Sequence, residues 1–214
     1  MTEQQGLFLA LEGGEGAGKS TLMDELRRRI EDVGREVTTT REPGGTPLGE
    51  QIRDLLRSND LSPWSETFLF VAARAQLVSK VIRPALDAGH VVLCDRYAAS
   101  TLAYQGHGRD LDMTRLKAVN VIATGGLQPD LTLLIDIDPA EGLGRKSGET
   151  GAVNTGYEAA EFHDRVREGY RALAQQAQPG TWVTLDGSTP PEEVTAVAWN
   201  VVKPRVKPRE LGSD

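Results

Sequence analysis

Gly13-Gly14-Glu15-Gly16-Ala17-Gly18-Lys19-Ser20-Thr21 matches G-x-x-x-x-G-K-[ST] at every position. A pattern this short takes its meaning from its neighbours. Before it, Leu7-Phe8-Leu9-Ala10-Leu11 is an apolar run of strand length, and after it Thr21 to Leu26 opens with helical spacing. Strand, glycine loop and helix start together aim backbone N–H groups and the positive end of a helix dipole at phosphate oxygens. Lys19 adds a full charge, and the Ser20 hydroxyl is of the kind that holds Mg²⁺. Gly13 to Thr21 therefore predict a nucleoside triphosphate site.

Working outward, strand and helix patterns alternate. Further strands are expected at Glu36–Thr40, Val91–Cys94, Leu131–Asp136 and Trp182–Asp186, with helices between them, among them a long one from about Trp64 to Leu86. The fold class is α/β: a three-layer, P-loop NTPase-type fold with a five-stranded parallel sheet, helices on both faces and a lid loop. One domain is expected over residues 1–201. Its lid is placed at about 142–157, where Arg145 and Lys146 border the small and glycine-rich stretch Ser147–Gly156. Residues 202–214 carry two Lys-Pro-Arg units and read as a flexible basic tail.

The 214-residue chain has 39% hydrophobic and 26% charged residues, an ordinary globular balance. Its 24 Lys+Arg against 31 Asp+Glu give net −7, which argues against a broad surface for nucleic acid. No apolar run reaches membrane-spanning length, and Met1 to Gln5 lack the basic and apolar regions of a signal peptide. Cys94 stands alone within an apolar run and reads as a small buried residue of a cytoplasmic protein.

Several side chains could serve the site. Asp95, Arg96 and Tyr97 end a buried strand at the same sheet edge as the glycine loop. There a carboxylate can hold Mg²⁺ through water and an arginine can grip phosphate; a structural Asp–Arg pair reads equally from the residues. Phe70 and Arg74 lie one helical turn apart and could sandwich and hydrogen-bond a planar base. By spacing alone, a surface arginine beside a core Phe is the plainer reading. Ser100 to Gly106 are polar and aromatic enough to line a small pocket.

Thr40-Arg41-Glu42-Pro43-Gly44-Gly45-Thr46, Phe70-Val71-Ala72-Ala73-Arg74, Asp95-Arg96-Tyr97 and Ala103-Tyr104-Gln105-Gly106, with Glu15 in the loop, together resemble a thymidylate kinase of the bacterial type, over about Phe8 to Val201. The resemblance implies transfer of the γ-phosphoryl group of ATP to dTMP with Mg²⁺, by a homodimer. It implies that Gly13, Gly14, Glu15, Gly16, Ala17, Gly18, Lys19, Ser20 and Thr21 hold ATP, and that Ser20 and Asp95 serve the metal. Glu15 would also meet the sugar 3′-hydroxyl. Phe70 would stack on thymine, and Arg74 would donate to its O4. Thr101 and Gln105 would line the base pocket, Tyr104 would exclude a 2′-hydroxyl, and Arg53 and Arg96 would hold the acceptor phosphate. In this type Gly16 stands where the other type has a loop arginine, and the lid supplies the cation, for which Arg145 is the candidate beside Lys19, Asp95 and Arg96. The usual later lid arginine is replaced near Asn154. Rival readings are a deoxynucleoside kinase, whose neutral acceptor needs no arginine clamp, and a nucleotide-binding regulatory protein with a thinned lid.

Overall fold

The computed structural model describes residues 5–150 and 157–206. Five strands, β1 Leu7–Gly13, β2 Val37–Arg41, β3 Val91–Asp95, β4 Leu131–Asp136 and β5 Trp182–Asp186, form one parallel sheet in the order β2-β3-β1-β4-β5. The helices are α1 Lys19–Asp32, α2 Pro47–Ser58, α3 Pro63–Leu77, α4 Arg83–Asp87, α5 Ala98–Thr101, α6 Met113–Thr124, α7 Pro139–Thr150, α8 Tyr157–Gln176 and α9 Pro191–Val202. Helix starts follow the sequence. Thr46 accepts from Gly49 N–H to cap α2, and Asp112 accepts from Arg115 N–H to cap α6.

Strand period two divides the core. Leu9 and Leu11 of β1 face α1 and α9, packing among Leu22, Leu26, Ile30, Ala198 and Val202. Phe8 and Ala10 face the other layer, among Leu77, Val78, Ile82 and Tyr97. Because β1 pairs with β3 in register Leu11↔Asp95 and with β4 in register Leu11↔Leu133, the glycine loop leaves the sheet between two buried neighbours. Asp95 ends its strand alongside.

Four expectations shift. The long helix expected from Trp64 to Leu86 is α3 and α4 joined through a π-helical turn, Val78–Ile82. The stretch expected to line the pocket is itself π-helical from Leu102 to Gly108, a wider coil often found at functional sites. In the stretch expected to form a lid, α7 continues through Thr150, so Ser147–Thr150 are helical rather than loop, while 151–156 and the Asn154 substitution lie outside the described residues. The tail does not begin at 202: Val202 and Val206 are buried in the α1–α9 core, with the 3₁₀ turn Lys203–Arg205 between them. Apolar side chains spaced to meet the sheet carry the fold past the Lys-Pro-Arg unit. Residues 207–214 lie outside the described residues.

The start of α7 leans on the glycine loop with no side chain between. A Cβ at Gly16, where φ is +65°, would lie 1.8 Å from the Gly142 carbonyl oxygen. One at Gly142 would lie 2.3 Å from the Glu15 carbonyl oxygen.

Candidate active site

The carboxyl ends of β1, β3 and β4 converge on the loop that β1 feeds. Lys19 is buried at the start of α1 and donates to the Gly13 and Gly14 carbonyls, at 3.1 and 2.7 Å. Burial, with Arg96 nearby, brings its ammonium down to about 8, against the pull of Asp95 and Glu15. Ser20 is exposed at the same helix start.

Glu15 sits between two cations. Arg96 donates to one oxygen at 2.9 Å, and Lys146 of α7 donates to the other. Burial alone would raise this carboxyl, but Arg96 and Lys146 outweigh it and hold Glu15 at about 2. The Tyr104 hydroxyl lies 3.5 Å from Glu15, and the Arg96 guanidinium lies over the Tyr104 ring, 5.0 Å from its centre. Arg96 also reaches the Gly13 carbonyl at 3.1 Å. Arg53 is half-buried and donates to the Pro43 carbonyl; burial lowers its pKa, as do Arg57 and Arg41 nearby.

Arg74 is not on the surface. It is 1% exposed, and all five of its donors are taken: Nε (at 2.8 Å) and Nη2 by Glu42, Nη2 also by the Tyr97 carbonyl, and Nη1 by Thr101 (2.9 Å) and Asn120. Burial pushes Glu42 up to about 7, with Arg74 opposing the shift. Phe70 is half-buried one turn before Arg74, and Gln105 donates to Glu66 at 2.7 Å.

The structure thus brings together Lys19, Glu15, Arg96, Tyr104 and Asp95, and places Arg74 with Thr101 behind them. Arg145 stands apart. It donates to the Gly187 carbonyl at 3.0 Å and to Glu141 at 2.6 Å, flanking the turn after β5. Lys146 is the cation of α7 that reaches the loop.

The family model described as thymidylate kinase matches residues 11–197. The thymidylate kinase of Desulfovibrio desulfuricans is 46% identical over 218 residues, covering 97% of this chain and 100% of that protein. The chain belongs to the thymidylate kinase family. The thymidylate kinase of Solidesulfovibrio magneticus is 48% identical over 206 residues, 92% of this chain and 98% of its own. The crystal structure of the thymidylate kinase from Ehrlichia chaffeensis superposes with TM-score 0.79 at 29% identity, covering 92% of this chain and 99% of that one.

Sequence reasoning missed partners that this family member buries around the site. Glu42 and Asn120 complete the Arg74 cluster, and Glu12, Ser100 and Tyr170 stand behind Arg96. A signal existed for Glu12, a carboxylate closing an otherwise apolar strand in the middle of a parallel sheet. Such conflicts between pattern and place mark functional positions. Asn120 within α6 carried none.

Proposed function

We propose that the Gly13–Thr21 loop holds the ATP phosphates with Mg²⁺, and that Arg96 and Arg53 hold the phosphate of dTMP opposite them. Phosphorylation of dTMP to dTDP at the expense of ATP is the reaction of the family to which the chain belongs. The observation that carries the site reading is Glu15, an ionised loop carboxylate flanked by Arg96 and Lys146 with Tyr104 beside it.

The chemistry asks for alignment and charge neutralisation. An oxygen of the dTMP phosphate, already anionic at neutral pH, forms a bond to the γ-phosphorus as the bond to the β-bridging oxygen breaks, and the charge leaves on ADP. Lys19 and the loop N–H groups meet the donor phosphates, and Arg96 offsets repulsion from the acceptor. Glu15 accepts only, which suits a sugar 3′-hydroxyl. The Tyr104 ring fills the space a 2′-hydroxyl would need.

Ser20 and Asp95 fit Mg²⁺ in kind. Asp95 Oδ1 is buried with no hydrogen-bond partner among the described residues, the condition a hydrated metal would relieve. Magnesium bound through one carboxylate, a hydroxyl and substrate phosphates needs no protein cage, and it would neutralise charge between the β- and γ-phosphates. In the base pocket Phe70 offers the stacking ring. Arg74 serves thymine O4 by exchanging its Thr101 or Asn120 bond for the base, and otherwise forms the pocket floor. Lys146 takes the lid role implied for Arg145.

The test is ADP release from ATP and Mg²⁺ with dTMP, dUMP, thymidine, dCMP and AMP offered separately. Turnover with dTMP above dUMP is expected; turnover with thymidine and not dTMP would remove the phosphate clamp.

A homodimer is the companion proposal. Phe68 of α3 is 55% exposed, and Val121 and Ile122 of α6 are 52% and 80% exposed, on two helices packed together. Light scattering should give twice the chain mass, and Ile122→Asp should halve it; a monomeric parent protein rejects the proposal. No helix among the described residues is long and apolar enough to cross a membrane. A cytoplasmic setting rests on Cys94, buried and unpaired.

A further inference from the structure

Glu12 is a carboxylate at 0% exposure, one strand position before the glycine loop. By the alternation of β1 it follows Phe8 and Ala10 toward the layer that holds α5 and α8. Desolvation disfavours an ionised carboxylate there unless hydrogen bonds offset it. Three donors converge on it. The Tyr97 N–H reaches Oε1 at 2.9 Å, and the Ser100 and Tyr170 hydroxyls reach Oε2 at 2.6 and 3.0 Å.

What these donors share is Arg96. Its backbone is left-handed, φ +69°, a conformation that is strained for a non-glycine residue and persists only where its surroundings hold it. Adjacent β1 residues do so: the Leu11 carbonyl accepts the Arg96 N–H at 2.9 Å, and Glu12 accepts the Tyr97 N–H. Beyond the backbone, Arg96 Nη1 lies 3.5 Å from the Ser100 hydroxyl and 3.3 Å from that of Tyr170, the two groups Glu12 Oε2 already orients. The same nitrogen and its twin then face Gly13 and Glu15.

We propose that Glu12 is a positioning residue for phosphoryl transfer, fixing both the backbone and the guanidinium of Arg96 against the glycine loop through Tyr97, Ser100 and Tyr170. It touches neither substrate. Because Tyr170 belongs to α8, the helix that follows the lid, the same carboxylate ties that helix to the acceptor arginine. The inference rests on the reading of Arg96 as the acceptor-phosphate clamp.

The test is a double-mutant cycle in the full chain with Glu12→Gln, Arg96→Lys and both, reading kcat, the KM of dTMP, ATP affinity without dTMP, and melting temperature. Glu12→Gln keeps the shape but removes the charge and replaces one of the two accepting oxygens with an N–H donor. It should lower kcat/KM for dTMP by about 10- to 100-fold, the cost of a misplaced clamp, with ATP affinity unchanged. In the Arg96→Lys background the same change should add little. Ser100→Ala and Tyr170→Phe, which remove one hydroxyl each, should show smaller losses of the same kind and stand in if Glu12→Gln does not fold. Equal losses for ATP and dTMP, or effects that add fully to Arg96→Lys, would mean Glu12 is only a strut, and the proposal would fall. Arg96→Lys alone judges the clamp separately: an unchanged KM for dTMP rejects that reading, while the cycle still reports whether Glu12 and Arg96 are coupled.

Discussion

Arg74 and Arg145 receive neighbouring roles from the same resemblance, and the fold treats them in opposite ways. Arg74 is 1% exposed with every donor engaged, across elements as distant in sequence as Glu42 and Asn120. Arg145 has a side chain 39% exposed, tied to Glu141 one turn earlier on its own helix and to one carbonyl beyond it. The side proposed to take the acceptor is a wall whose charges are fixed among protein groups alone. The side proposed as the lid is lightly tethered, as would suit a part that closes on its substrate. Preorganisation and mobility are thus divided between two regions rather than averaged over one.

The sharpest way to break this contrast is Arg74→Ala. It strands Glu42 without its partner in the interior, and loss of one member of a buried pair costs about 3–5 kcal/mol. Denaturant unfolding should show that loss, and the KM of dTMP should rise more than that of ATP. A variant as stable as the parent would show that the wall is not held by its charges.

On the lid side the expected effect is on rate instead. Lys146→Ala should lower kcat by about 10²-fold, the usual cost of one preorganised donor, with the melting temperature unchanged. Arg145→Ala should cost less, since its exposed pair contributes only about 0.2–1 kcal/mol. A larger loss for Arg145 would mean that α7 turns on closing and exchanges the two cations.

Proton linkage gives a subtler measure of the glycine loop that lies between the two sides. Lys19 loses its proton near pH 8 in the empty site, and phosphate oxygens favour the charged form. ATP binding at pH 8 should therefore take up a proton, visible by calorimetry in buffers of different ionisation enthalpy. ATP affinity should fall as pH rises through about 8, by at most about tenfold per unit. Smallest is the acid limb. Glu15, lowered from 4.5 to about 2, contributes stability fully present above 4.5 and lost as pH falls through about 2. Glu15→Gln should flatten that part of the stability curve; an unchanged slope would place the linkage elsewhere.

The glycine loop, the five strands and most helices were legible because each is a local signal: a motif, a period, a cap. Asp95 and Arg96 were legible as candidates because strand ends locate a site, and Tyr104 because it lies in a polar and aromatic stretch that also carries the family resemblance. What escaped was decided by contacts between distant segments. Arg74 looked like a surface residue by helical spacing, since nothing nearby in sequence announces Glu42 and Asn120 as its partners. The choice between Arg145 and Lys146 turns on a rotation of about 100° along a helix, finer than any lid composition can specify. Val206 escaped because Lys-Pro-Arg units on either side masked a single buried apolar residue.

The seating of α7 on the glycine loop binds together two segments that lie far apart in the chain. With 1.8 Å between a Cβ at residue 16 and the Gly142 carbonyl, any side chain at that position and α7 in this seat are mutually exclusive. Residue 16 and the place of α7 therefore form one unit of change: a substitution there unseats the helix, and with it the Lys146 that reaches Glu15.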